Sequence, residues 1–155
     1  MLALILLAQI AVSSTDLPSD YLEASRVIAE DSVISGFCYG IGWEPDPSAE
    51  AALETELDQL VTRHGVMPGL ARETLLQQAL EVSQALRVKL VRTPGDAVQR
   101  AAYLDELEDW ARENCNAVAR RRPALFKGDT AVNQTRVDNN FAEMRRQNEA
   151  STARP

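Results

Sequence analysis

TPGDAVQRAAYLDELEDWARENCNAVARRRP, from Thr93 to Pro123, is the stretch whose reading decides the fold. Thr93 is a helix-capping residue, Pro94 takes the first helical position where its missing N–H costs nothing, and Asp96 stands where a capping box places its acid. From there Val98, Ala101, Ala102, Leu107, Trp110, Ala111, Cys115, Val118 and Ala119 hold a helical period to Arg121. Pro123 stops the run, and Arg120, Arg121 and Arg122 set positive charge against the negative end of the helix macrodipole. That placement accounts for the arginine cluster without a nucleic-acid or lipid-headgroup partner. A helix so long must bury its apolar stripe against other elements.

Working outward, three more segments carry the same period. The first runs from Asp20 to Ile41, with Asp20 and Glu23 as reciprocal caps and Leu22, Val27, Ile28, Ile34, Phe37, Cys38 and Ile41 on one face. It ends in GFCYGIGWEPDP, where Gly40, Gly42, Pro45 and Pro47 break any helix. Gly36 and Gly40, four apart, leave a notch where a neighbour can come close. The second helix starts at the N-cap Ser48, carries Leu53, Leu57, Leu60 and Val61, and closes at Gly65. The four residues VMPG lead to a third, Pro68 to Leu90, with Leu70, Leu76, Ala79, Leu80, Ser83, Leu86 and Leu90 as its inner stripe. From Thr130 to Ala150, Val132, Val137, Phe141 and Met144 keep a near-helical spacing. The same stretch holds Asn133, Asp138, Asn139, Asn140 and Gln147, so a polar tail or a loose terminal helix is expected there over 129–155. Asn133-Gln134-Thr135 is a formal glycosylation acceptor.

Only 5% of the residues are aromatic, while alanine and leucine dominate the apolar set. This balance favours helices over a sandwich or barrel. The expected fold is all-α, a single-domain bundle of about four main helices over 14–128 with one core and a loosely ordered C-terminal tail.

The leader MLALILLAQIAVSSTD sets the compartment. Leu2 to Val12 is apolar except for Gln9, matching a secretory h-region and falling short of the ~20 residues that span a membrane. Ala11 and Ser13 suit the positions before a signal-peptidase cut, so 1–13 reads as a signal peptide, although no positively charged n-region precedes it. A buried first helix or an uncleaved anchor is the competing reading. Export makes the protein periplasmic or secreted, and there its two cysteines, Cys38 and Cys115, meet oxidising conditions and are expected to form a disulfide joining the first helix to the fourth. Neither belongs to a C-x-x-C motif, which argues against redox catalysis.

The net charge of −7 is unevenly spread. From Ser14 to Leu60 eleven acids face one base, and from Val61 onward fifteen bases face twelve acids. The acidic half is therefore expected to lie against the basic helices; the sharper alternative is an acidic surface for a cationic protein partner. One histidine, His64, and two distant cysteines cannot build a histidine-rich metal site, and no phosphate cradle or nucleophile elbow is present. No cofactor, metal or nucleic acid is expected, nor a membrane contact once the leader is removed. DELEDW, Asp105 to Trp110, offers paired carboxylates through Asp105, Glu106 and Asp109, but Glu108 has Arg112 four residues on, as in a solvated helix face. Tyr39, Trp43, Glu44 and Asp46, at the glycine-lined break, form the expected ligand or partner surface. The function expected is a non-catalytic binding module, with a small carboxylate-dependent hydrolase of glycan or cell-wall substrates as the alternative.

Overall fold

The computed structural model describes residues 17–90 and 95–152, so the leader, Thr93 and Pro94 lie outside the described residues. Five α-helices account for nearly all of it: α1 (Ser19–Ile41), α2 (Ala49–His64), α3 (Pro68–Leu90), α4 (Ala97–Arg121) and α5 (Thr130–Thr152), with a 3₁₀ turn at Pro123–Leu125. The disulfide Cys38–Cys115 is formed and joins α1 to α4.

Helix α1 is central. Its buried residues Tyr21, Ser25, Ile28, Ala29, Asp31, Ser35 and Cys38 spread over about half its circumference, because other helices flank it on several sides. Polar side chains occupy positions where an apolar stripe was expected, and Val27 is exposed instead. The buried Ser25 hydroxyl donates to Gln78 Oε1 (2.9 Å), whose Nε2 donates to the Leu22 carbonyl (3.0 Å). The Ser35 hydroxyl donates to the Ser32 carbonyl at 2.8 Å. Each hydroxyl is thereby satisfied in the interior.

Helix α3 runs alongside α1 in the same direction, from the Ser25–Gln78 bond to the cleft shared by Phe37 and Leu90. Its contact face is Ala71, Thr74 and Gln78, and the expected inner stripe is corrected: Leu76 and Leu80 are 63% and 55% exposed. Small and polar residues let the two backbones approach and reward it with the Ser25–Gln78 bond, so the bulkier leucines turn outward. The notch of Gly36 and Gly40 also stays open, since a Cβ at either position would meet no atom of another element within 4 Å.

The helix ends follow local chemistry with three changes. Helix α1 begins at Ser19 after Pro18 with no side-chain cap, so Asp20 and Glu23 do not form the expected reciprocal pair. Gly65 closes α2 in the left-handed conformation (φ 64°), where glycine has no Cβ penalty. Ser48 precedes α2, but its hydroxyl donates to Asp46 Oδ1 and does not cap the helix. At α4 the N-cap is Asp96, accepting from Gln99 N–H at 2.8 Å, while Gln99 Oε1 accepts from Gly95 N–H at 2.9 Å. It is a capping box set one turn later than Thr93 would place it.

Of the two readings of 129–155, a polar tail or a loose terminal helix, the terminal helix forms as α5, and it is packed and not loose. Val137 and Phe141 are fully buried, and the helix packs antiparallel on α4 through Arg112–Asp138 (3.1 Å), Asn116–Gln134 (3.4 Å) and Asn148 to the Ala97 carbonyl (3.1 Å). Its polar residues bond along α4, so polarity here marks a two-helix seam. Two apolar clusters result where one core was expected. One surrounds the disulfide with Trp43, Val118, Leu125, Phe126, Val137 and Phe141; the other joins Leu17, Tyr21, Ile28, Leu57, Leu60 and Ala71.

Candidate functional site

The break after α1 is built by Gly42, whose φ of 123° is open to glycine and strained for other residues. Gly42 and Trp43 donate N–H groups to the carbonyls of Tyr39 (3.2 Å) and Cys38 (3.0 Å), turning the chain back on itself. Trp43 is thereby carried into the disulfide cluster, with its ring 4.7 Å from Phe126. Tyr39 packs on the same phenyl at 5.6 Å and donates its hydroxyl to the Leu125 carbonyl at 2.8 Å. Burial pushes the Tyr39 phenol above its ordinary value.

Beyond Trp43 the backbone pairs with the segment after α4. Lys127 N–H donates to the Glu44 carbonyl (2.9 Å), and Asp46 N–H to the Leu125 carbonyl (3.1 Å). Asn133 of α5 completes the joint from a buried position, accepting from Glu44 N–H at 3.0 Å and donating to the Lys127 carbonyl at 3.1 Å. The Glu44 carboxylate meets Lys127 (2.9 Å) and Arg136 (2.7 Å), and these hydrogen bonds hold it below the usual carboxylate range. Asp46 is held low by Ser48, which donates both its hydroxyl and its N–H. Of the four residues expected to form a ligand surface, Tyr39 and Trp43 are thus committed to packing. Glu44 and Asp46 reach the surface already bonded.

Asn133 was legible in the sequence only as a glycan acceptor. Its amide is buried and bonded at both ends, so the folded chain offers no site for a sugar. Asn133→Ala takes the side-chain partner from the Glu44 N–H and the Lys127 carbonyl, both part-buried, and is expected to cost about 2 kcal/mol, read by urea denaturation. Intact mass from a glycosylating host is expected to show no added sugar.

Two carboxylates of DELEDW, Asp105 and Glu108, face α5. Asp105 meets Arg145 at 2.8 Å and Glu108 meets the same guanidinium; Glu108 also holds Arg112 at 3.1 Å, as the four-residue spacing implied. Glu108 and Asp105 raise the Arg145 pKa, Glu108 the more strongly. This is a helix seam neutralised by α5.

The charge asymmetry becomes a set of ion pairs between the two halves. Asp31, fully buried on α1, accepts from Arg121 Nε (3.2 Å) and Arg122 Nε (2.9 Å), and Arg122 also reaches Glu56 on α2. With Glu44, Lys127 and Arg136, these pairs absorb much of the opposite charge that the sequence separates. His64 lies 3.6 Å from Asp20 and edge-on to Tyr21. A groove of about 460 Å³ between α1 and α2 has Ile28 and Leu60 in its floor and Thr55, Gln59 and Arg63 at its rim.

The outer face of α3 presents the least satisfied surface chemistry. Leu76 and Leu80 lie one turn apart, and Val88, 85% exposed, follows two turns on. Glu73 and Arg87 flank them, exposed and with no ion-pair or hydrogen-bond partner among the described residues. No local signal in the sequence marks this, because adjacent apolar residues such as Leu60 and Val61 can both be buried on one helix.

Comparison with protein-family models, curated proteins and solved structures finds no match. The reading therefore rests on the chain's own chemistry. Among the described residues no three His, Cys, Asp or Glu side chains cluster as metal ligands, and no helix is long and apolar enough to cross a membrane.

Proposed function

We propose that this chain is an exported, non-catalytic interaction module that binds a protein partner through the outer face of α3. The observation that carries the reading is the exposure of Leu76 and Leu80, one turn apart on α3 and opposite the packed Ala71, Thr74 and Gln78. Exposed apolar side chains grouped on one face mark association surfaces far more often than scattered ones do. Export to a periplasm or the cell exterior is supported by the leader and by the buried disulfide, which oxidising compartments sustain. The hydrolase alternative is not favoured at Asp105, whose carboxylate is held in an ion pair by Arg145 of α5.

Photo-cross-linking from position 76 in the exporting cell tests the proposal. A defined protein adduct is expected, and it should disappear in Leu80→Glu while that variant keeps its thermal midpoint. A folded, exported chain that yields no adduct overturns the reading.

A further inference from the structure

We propose that the partner on α3 is a second copy of this chain, the two α3 helices running antiparallel about a two-fold axis at Leu80. The inference rests on the interaction-module reading and names its occupant.

The exposed charges of α3 are symmetric about Leu80. Glu73 lies seven residues before Leu80 and Arg87 seven after, both exposed and both unpartnered among the described residues. At 1.5 Å rise per residue, each sits about 10 Å from Leu80 along the helix, and the fourteen-residue interval keeps them near one face. A two-fold contact requires that what residue i meets on its partner, the partner's i meets in return. Centred on Leu80, that operation sets Glu73 opposite the partner's Arg87 and Arg87 opposite the partner's Glu73.

The same register stacks Leu80 on the partner's Leu80 and seats Leu76 between the partner's Leu80 and the partner's Gln84. Glu73, Leu76, Leu80 and Arg87 lie within about 60° of one another around the helix, with Arg87 at the edge of the cleft that α3 shares with Val33 and Phe37 of α1. A parallel pair would instead face Glu73 with the partner's Glu73 and Arg87 with the partner's Arg87, so the charges select the antiparallel arrangement. A membrane surface fits this face poorly. Helices that lie in anionic lipid carry Lys and Arg along the flanks of their apolar face, whereas Glu73 and Glu81 sit beside these leucines in a chain of net charge −7.

Sedimentation equilibrium of the oxidised full chain tests the proposal. A concentration-dependent dimer is expected, weakened by salt. Leu80→Glu sets two carboxylates face to face on the axis and is expected to give a monomer. Glu73→Arg is expected to weaken the dimer about tenfold, near 1.4 kcal/mol, by facing arginine with arginine. Glu73→Arg with Arg87→Glu restores the pairing and is expected to recover the dimer. All three sites are exposed, so an unchanged thermal midpoint shows that each variant folds. A monomer at every concentration, or a dimer indifferent to Leu80→Glu, overturns the proposal, as does a charge swap that fails to rescue. A monomer that cross-links from position 76 to a different protein removes self-pairing and leaves the interaction-module reading standing; a monomer with no adduct removes both.

Discussion

Reduction of the Cys38–Cys115 bond is expected to lower the unfolding free energy by about 4 kcal/mol. The cross-link spans 77 residues, and closing so long a loop removes conformational freedom mainly from the unfolded chain. Domains of this size are stable by only ~5–15 kcal/mol, so the bond supplies a large share. Both sulfur atoms lie in the apolar cluster with Trp43, Val118 and Phe126, and the covalent link holds the C-terminal end of α1 against the middle of α4. Urea titrations with and without reductant measure the effect. The reduced chain should unfold at a lower midpoint and with a steeper denaturant dependence, because its unfolded ensemble is less compact. A shift below about 1 kcal/mol would show that packing alone holds α1 to α4. The alanine pair Cys38→Ala with Cys115→Ala should lose at least as much, since it adds a small cavity to the lost cross-link.

Asp31→Asn is expected to cost about 3–5 kcal/mol, the usual penalty for breaking a buried ion pair from one side. Asp31 is fully buried, and Arg122, whose side chain is only 13% exposed, would keep its charge with little water to replace the carboxylate. Glu56 on α2 would remain its one anionic contact. Arg121 differs because half of its side chain is exposed, so water screens its pairing with Asp31; Arg121→Gln should cost about 1 kcal/mol or less. The contrast between the two variants is the informative result. Equal losses would mean that the cluster acts through overall charge; a loss several-fold larger for Asp31→Asn assigns the effect to the stranded Arg122. Replacing Asp31 and Arg122 together with apolar residues of similar volume should recover much of the stability, because neither charge is then left buried alone.

Much of the helical framework was readable from local signals. The Gly65 stop, the start of α3 at Pro68 and the end of α4 before Pro123 rest on backbone constraints that act within a few residues. The neighbourhood of α1 and α4 followed from two cysteines once oxidation was assumed. The candidate surface was less legible. Trp43 read as a ligand contact because aromatics beside glycines serve either role, and only the fold of Phe126 against it assigns the ring to packing. Leu76 and Leu80 read as core because leucine on a helix ordinarily is core. The α5 helix read as a tail because hydropathy does not record that Asn148, Asp138 and Gln134 find partners on α4.

What this sequence determined by itself is the four main helices, most of their ends and the pairing of its cysteines, because capping, proline geometry and apolar period are properties of short stretches of chain. Which face of each helix is buried was decided only in the tertiary structure. The Ser25–Gln78 bond turns α3, Asn133 locks the loop after α1 to α5, and Asp31 gathers arginines from ninety residues away. These choices depend on partners distant in sequence, whose geometry exists only after the helices have docked. The outward leucines of α3 are the consequence of that docking.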